Sequence, residues 1–373
     1  MSFTRDETGT FYRRRYWEGL GYFLLDTLLL AASTWLAVSL RPWPLQVVFA
    51  FLSGTIIAAL FAIGHDAAHD ALTPSRRLNR FVGTIAFLPS MHPYSLWVKL
   101  HNLRHHMWTN LRGKDDVWVP LSMEEYLALP TASRSLYRFY RGPYGPLLYY
   151  LVEFWWRKFA WPTRRHYDGV VRAEYVVDTI VTWLFAAGVV ALLGFGAEAG
   201  WFGGPRPWWN AVLFGAVLPF LVWNVYSGVS IYLHHTHPKI VWYRDEAEWR
   251  RVSKANTAVH AVFPKWVQRS FHFIQEHTAH HLRPSIPLYN LAEAQACLET
   301  KDDVDVVMYE WSLARHVDIA RRCKLYDYDA KRWMDFDGHY TSPPPSRKRI
   351  ATPDSPDVMV LAGESATETF ADG

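Results

Sequence analysis

The chain has 373 residues, half of them hydrophobic and 16% aromatic, with a formal net charge of +4. That charge is too weak to argue for a nucleic-acid partner, and the only two cysteines, Cys297 and Cys323, leave no disulfide framework and no cysteine-based metal site. The 19 Trp, 20 Tyr and 21 Phe suit a protein at a lipid–water boundary, while the 17 His stand out as an excess that a boundary does not explain.

In chain order, the polar and basic start, MSFTRDETGTFYRRRYWEGL, lacks the compact apolar stretch and small-residue cleavage site of a secretory signal. Four segments are then apolar over the roughly 20 residues a bilayer requires. They run over about 20–40, with Asp26 inside it, 45–64 after the short RPWP link, 175–196 with Asp178 near its start, and 208–233 after AEAGWFGGPRP. Asp26 and Asp178 are expected to be paired within the bundle or to sit near a span end, because an unpaired carboxylate in hydrocarbon is expensive. Two hairpins with short links place everything else on one side. Arg13, Arg14 and Arg15, the Arg-rich middle loop and the basic C-terminal region make that side cytoplasmic, with both termini there. A soluble protein with four very apolar core helices is the competing reading, and the pairing by short links weighs against it.

The expected architecture is therefore an all-α membrane protein: four transmembrane helices with a cytoplasmic helical cap. Residues 1–19 form a cytoplasmic N-terminal segment and 20–341 the membrane domain. The cap is drawn from 65–174 and 234–341, and the Pro-, Ser- and charge-rich 342–373 reads as a disordered tail. Within the middle loop, RFVGTIAFLPSMHPYSLWV is broken by Pro89 and Pro93 and reads as a re-entrant or interfacial piece. PLLYYLVEFWWRKFAW, with Trp155, Trp156 and Trp161, reads as lying in the interface plane.

The histidines collect just past the span ends. GHDAAHD places His65 and His69 four apart, on one face of a continuing helix. KLHNLRHH supplies His101, His105 and His106, and YLHHTHP supplies His234, His235 and His237. HFIQEHTAHH adds His272, His277, His280 and His281. Imidazoles gathered in a poorly solvated place are costly if they charge, unless a metal holds them neutral. Nine or more converging rings exceed the roughly four ligands of one zinc ion and match two ions, although imidazole alone does not name the metal. His92, His166, His260, His316 and His339 read as isolated hydrogen-bonded or interfacial side chains.

HDAAH, HNLRHH and HTAHH, in that order and with two spans between the second and third, resemble the three histidine boxes of the integral-membrane di-iron fatty acid desaturases and hydroxylases. The nearest resemblance is to the acyl-lipid Δ12 (omega-6) branch. It is carried also by HTHP at His235–Pro238, SIPLYN at Ser285–Asn290 and DDVWVP at Asp115–Pro120. The resemblance implies two iron ions held by His65, His69, His101, His105, His106, His277, His280 and His281, with His235 as the ninth ligand after the last span. His237 is an alternative to His235 or a holder of water, His272 lies in an outer layer, and His234 is interfacial. Asp66, Asp70 and Glu276 are candidates for orienting ring N–H groups. The implied activity is the O2-dependent insertion of a cis double bond into lipid acyl chains in a multi-pass protein of a bacterial inner membrane. Electrons would come from an external, ferredoxin-type donor, since the chain shows no iron–sulfur, haem or flavin module. The three residues, NLR, between His101 and the His105–His106 pair exceed the two usual in that branch. They keep a membrane hydroxylase of alkyl, acyl or terpenoid substrates open as the alternative. A metal transporter is a weaker third reading, because its histidines would lie at several depths along the spans.

Overall fold

A computed structural model describes residues 9–163, 166, 169–301 and 304–346. The chain opens with a helical hairpin, α1 (Tyr16–Ser39) and α2 (Trp43–Ala68), joined where Pro42 and Pro44 prevent one helix running into the next. Then come α3 (Arg76–Phe87), capped by the Ser75 side chain, and α4, which begins as Tyr94–Val98 and runs on as a π-helix over Lys99–His106. Helix α5 begins at Pro146–Tyr149 and continues as a π-helix over Tyr150–Ala160. A second hairpin follows, α6 (Ala173–Glu198) and α7, whose sections Trp208–Val212, Leu213–Val217 and Leu218–His235 form one continuous helix.

Helices α1, α2, α6 and α7 are each long and apolar enough to cross a membrane. Their most apolar windows are 56% and 44% buried within the protein for α2 and α7, against 22% and 11% for α1 and α6, so α2 and α7 form the inner pair. A Cβ on Gly54 would fall 2.6 Å from both the Pro219 carbonyl oxygen and Val222 Cβ, which is why a glycine stands where these two helices cross. Leucines 24, 25, 28 and 29 of α1 and Ile180, Leu184, Leu192 and Phe195 of α6 are exposed, as a lipid-facing surface requires. Asp26 is buried and its Oδ2 lies 2.6 Å from His272 Nε2, while Asp178 Oδ2 accepts from the Ser95 N–H, so both intramembrane carboxylates have partners.

The cap follows α7 as strand β1 (Val259–Val262), helices α8 (His277–Leu282) and α9 (Leu288–Glu299), strand β2 (Val307–Glu310), helix α10 (Leu313–Arg322), and strands β3 (Leu325–Asp327) and β4 (Arg332–Met334). Strand β1 pairs with β2 in parallel, with Val259 opposite Val307, and β3 pairs with β4 antiparallel, with Leu325 opposite Met334. The cap is mainly helical, as the sequence leads one to expect, with these two small sheets added. These three- and four-residue strands are too short to carry a readable alternation, and they form because Trp118, Trp242, Tyr326 and Trp333 close one aromatic core around them at the end of α7. The Pro-broken segment after α3 is a short 3₁₀ turn, Leu88–Ser90, followed by α4. His92 is held there between the Ser90 carbonyl and the Tyr150 hydroxyl. Of the tail from residue 342, Ser342 is buried and accepts from the Trp333 N–H, and everything beyond 346 lies outside the described residues.

Candidate metal centre

The C-terminal ends of α2 and α7 emerge on the same side of the bundle, beneath α4 and α8, and four histidine-bearing segments meet there. His65, His69, His101, His106 and His280 form one group, and His105, His235, His277 and His281 a second. In each group one nitrogen or more per ring lies within 4.8 Å of the others. The first segment gives both its histidines to the first group. The second segment divides: His101 and His106, five residues apart, face one group and His105 the other. A π-helix, with its i→i+5 hydrogen bonds, supports that division, because residues five apart then share a face. The long NLR spacing is thus taken up by the wider turn. On α8, His277 and His281 are four apart and point to the second group, while His280 points to the first. The two groups touch, the His106 and His281 rings stacking at 4.3 Å.

The proton positions in the second group follow from its outer partners. His105 Nδ1 faces Asp115 Oδ1 at 3.0 Å, His235 Nδ1 faces the Thr257 carbonyl at 3.4 Å and His277 Nδ1 faces the Ile274 carbonyl at 3.3 Å. These oxygens only accept, so each Nδ1 carries the proton. Thr109 donates its hydroxyl proton to the His105 carbonyl, which leaves its oxygen to accept from His281 Nδ1 at 3.3 Å. All four Nε2 atoms therefore present bare lone pairs, yet they stand 3.1 Å (His105–His235), 3.2 Å (His235–His277) and 3.0 Å (His277–His281) apart. No proton is left to bridge them. A cation satisfies the arrangement, since two nitrogens each ~2.1 Å from one ion at right angles are about 3 Å apart.

In the first group His106 Nε2 lies 2.9 Å from His101 Nε2 and 3.1 Å from His280 Nε2. His69 Nε2, His106 Nδ1 and His280 Nδ1 are buried without a hydrogen-bond partner. Burial first, and then the neighbouring imidazoles, hold His101, His106, His277, His280 and His281 well below the usual histidine range. Burial and His105 bring His69 down to about 3. The rings are neutral at physiological pH, which is the form a metal takes.

The remaining histidines sort differently from the sequence reading. His234 is not interfacial: it is buried, donates from Nε2 to Gln275 Oε1 at 2.7 Å, and stacks on His277 at 3.8 Å. His237 lies outside both groups, stacked on Tyr309, and His272 sits on Asp26 and Tyr22. None of Asp66, Asp70 and Glu276 orients a grouped ring. Asp70 pairs with Arg76, Glu276 accepts from Gln268, and Asp66 Oδ2 is buried without a partner. The carboxylate that does so is Asp115, ten residues beyond His105 on a loop. The sequence signal for it was present in DDVWVP but carried no spacing that tied it to a ring.

His260 on β1 faces Glu276 at 3.5 Å and is hydrogen-bonded to Glu299. Burial works to lower its pKa, but the two carboxylates outweigh this and raise it to about 9. A histidine raised on folding stabilises fully below its unfolded value, near 6.5, and that stability is lost as pH climbs through about 9. His260→Gln is accordingly expected to lower the thermal midpoint by several degrees at about pH 6 and by much less at about pH 10. An equal drop at both pH values, read by thermal unfolding in detergent, would contradict the charged-pair assignment.

An apolar pocket of about 1010 Å³, its open mouth included, runs from the inner spans to the histidines. Ala58, Phe61 and Ala62 of α2 and Tyr226, Ser230 and Ile231 of α7 line its membrane part. His65, His101, His105, His235 and His277 reach it from both groups, and the Asp116–Lys158 ion pair, 3.3 Å long, stands on its wall.

Residues 41–310 match the family described as fatty acid desaturase. The chain belongs to that family. Among curated relatives, this desaturase is 31% identical over 315 residues to the sn-1 oleoyl-lipid 12-desaturase of Synechocystis, covering 82% of each chain. It is 30% identical to the protein of the same name from Picosynechococcus, over 81% of this chain and 82% of that one. The chloroplastic omega-6 fatty acid desaturase of Glycine max is 28% identical over 78% of this chain.

Proposed function

We propose that the protein is a membrane acyl-lipid desaturase of the Δ12 (omega-6) type. In this reading two iron ions are held by His65, His69, His101, His106 and His280 on one side and by His105, His235, His277 and His281 on the other. The observation that carries it is the pair of converging lone-pair clusters opening on one apolar pocket. The printed activity of the cyanobacterial and chloroplastic relatives supports the choice of substrate and bond.

When bound, the irons supply the activation of O2 needed to break unactivated C–H bonds. Overall, two hydrogens from neighbouring methylenes, two electrons from a donor and two solvent protons leave with O2 as two waters. The chain's own residues provide the rest. Ala58, Phe61, Ala62 and Ile231 bury the acyl chain and exclude water, so that a reactive state is not spent on solvent. The Nδ1 partners of His105, His235, His277 and His281 fix each ring with its bare nitrogen inward. The rigid ends of α2 and α7 hold the pocket against the clusters, and placement of that kind decides which methylenes react.

Electrons require an external protein donor of the ferredoxin type, since the sequence offers no second redox module. Arg15 bonds to Asn290 of α9, so the basic start of α1 lies with the cap, which by the positive-inside rule supports a cytoplasmic location for the clusters and the termini. Expression in cells rich in oleoyl lipids, followed by mass spectrometry with location of double bonds, tests the reading. A product two hydrogens lighter, unsaturated at the twelfth carbon, is expected; a product one oxygen heavier would make the enzyme a hydroxylase.

A further inference from the structure

We propose that an acidic one-electron carrier protein docks on the cap surface formed by Leu103, Met107, Trp108, Arg251 and Lys254, and that Trp249 and Thr109 connect this surface to both histidine clusters. The proposal rests on the desaturase reading above, which requires a donor, and adds where that donor binds.

Helix α4 carries its histidines inward, and the turn that holds His105 and His106 presents Leu103 and Met107 outward, 53% and 47% exposed. These two side chains and the edge of Trp108 give the face an apolar centre. Cations surround them. Lys114 Nζ lies 3.6 Å from the centre of the Trp108 ring and Arg250 stands 5.4 Å from it. Lys254 lies 4.0 Å from the Trp249 ring, and Arg251, next to Arg250 in the chain, is exposed. Glu246 bridges Lys114 and Arg250, and Glu248 pairs with Lys331, so that Lys114, Arg250, Arg251, Lys254 and Lys331 stand against Asp245, Glu246 and Glu248, an excess of two positive charges. An apolar centre with a basic rim is complementary to an acidic carrier.

What singles out this face is its wiring. Trp108 packs on Trp249 at 5.3 Å, and Trp249 Nε1 donates to the Thr109 carbonyl at 2.8 Å. Thr109 in turn accepts from His281 Nδ1 and donates to the His105 carbonyl. Lys254 Nζ donates to the carbonyls of His106 at 3.2 Å and Met107 at 2.9 Å. The half-buried Trp108 is thus one ring contact, two hydrogen bonds and one threonine away from a ring of the second cluster, and that ring stacks on His106 of the first. A patch serving only to rest on lipid headgroups has no need of this connection. Each turnover draws two electrons in two dockings, the carrier being oxidised by one electron each time, and they leave in the two waters written above.

The test uses the full chain in lipid nanodiscs containing oleoyl lipid, driven either by a plant-type ferredoxin kept reduced by NADPH and its reductase, or by a small dithionite-reduced mediator. In the variant Met107→Glu/Arg251→Glu, kcat/KM for ferredoxin is expected to fall about ten-fold or more and to lose its salt dependence, while mediator-driven turnover stays within about two-fold. Trp249→Phe, which removes the N–H together with part of a buried ring, is expected to lower ferredoxin-driven kcat without moving KM and to leave mediator-driven turnover within about two-fold; an equal loss under both reductants would mark the effect as structural. Unchanged ferredoxin kinetics in the double variant would overturn the proposal. So would an equal loss under both reductants together with weaker lipid association, which would make the patch a membrane contact. Direct titration of ferredoxin against wild type and variant reads docking without turnover, so a failure of the desaturase reading itself would be seen separately.

Discussion

Replacing His281 with Ala is expected to abolish desaturation, by about a thousand-fold or more, and to reduce bound iron from two per chain to about one. The ring is one of four whose bare nitrogens meet within 4.8 Å, and three nitrogens at the vertices of a broken set hold an ion far less well than four. Because His106 stacks on His281, the remaining ion is expected to be held less tightly as well, so iron should fall further on dialysis against chelator than in wild type. His316→Gln is the matched control. That ring bonds to the Pro143 carbonyl and lies in neither cluster, so both irons and the activity should survive. Metal analysis of the purified proteins, read beside product formation, decides it. Full iron in His281→Ala, or a loss in His316→Gln as large as in His281→Ala, would show that the clusters are not the metal sites.

How much of this was readable in advance differs by level. The four spans were plain because each is apolar for the full width of a bilayer, and their ends moved by only a few residues in the fold. The nine clustered rings could be picked out because they collect just past the span ends and match three histidine boxes, with His235 added by the same resemblance; a spacing of four alone would have put His101 and His105 on one face, and they divide. Their division into two groups was not readable: it depends on the π-helical turn at Lys99–His106, whose hydrogen bonds leave no mark in composition. Asp115 was missed for a related reason. Its tie to His105 spans a loop, so no periodicity links them, whereas Asp66, Asp70 and Glu276 looked better placed only because they are adjacent in sequence to clustered rings. The short strands of the cap, and His234 lying under His277 instead of at the interface, follow from an aromatic core assembled from distant segments, and local pattern has no access to that.

Asp115 gives the second large effect, and a separable one. Its Oδ1 accepts from His105 Nδ1 and from the Val117 N–H at 3.1 Å, while Oδ2 accepts from the Asn110 N–H at 2.9 Å, so the carboxylate is buried with its acceptors in use. Asp115→Asn keeps the size but turns one of those acceptors into an NH2 group. Either the Asn110 N–H or His105 Nδ1–H then meets a donor, and the buried clash of unsatisfied groups costs on the order of 1–3 kcal/mol. If His105 gives way, its proton is free to move to Nε2 and block the nitrogen that faces His235. Removing such an outer partner weakens metal sites by roughly 10–100-fold. Asp115→Asn should therefore release iron from the second cluster faster against a chelator, and lower kcat with it, while the ferredoxin KM moves little and the thermal midpoint of the metal-free protein falls by a few degrees. Asp115→Ala should release iron faster still, since it leaves Nδ1 with no acceptor. Chelation half-times equal to wild type in both variants would mean that His105 is held by its packing alone and that the carboxylate serves only the loop backbone.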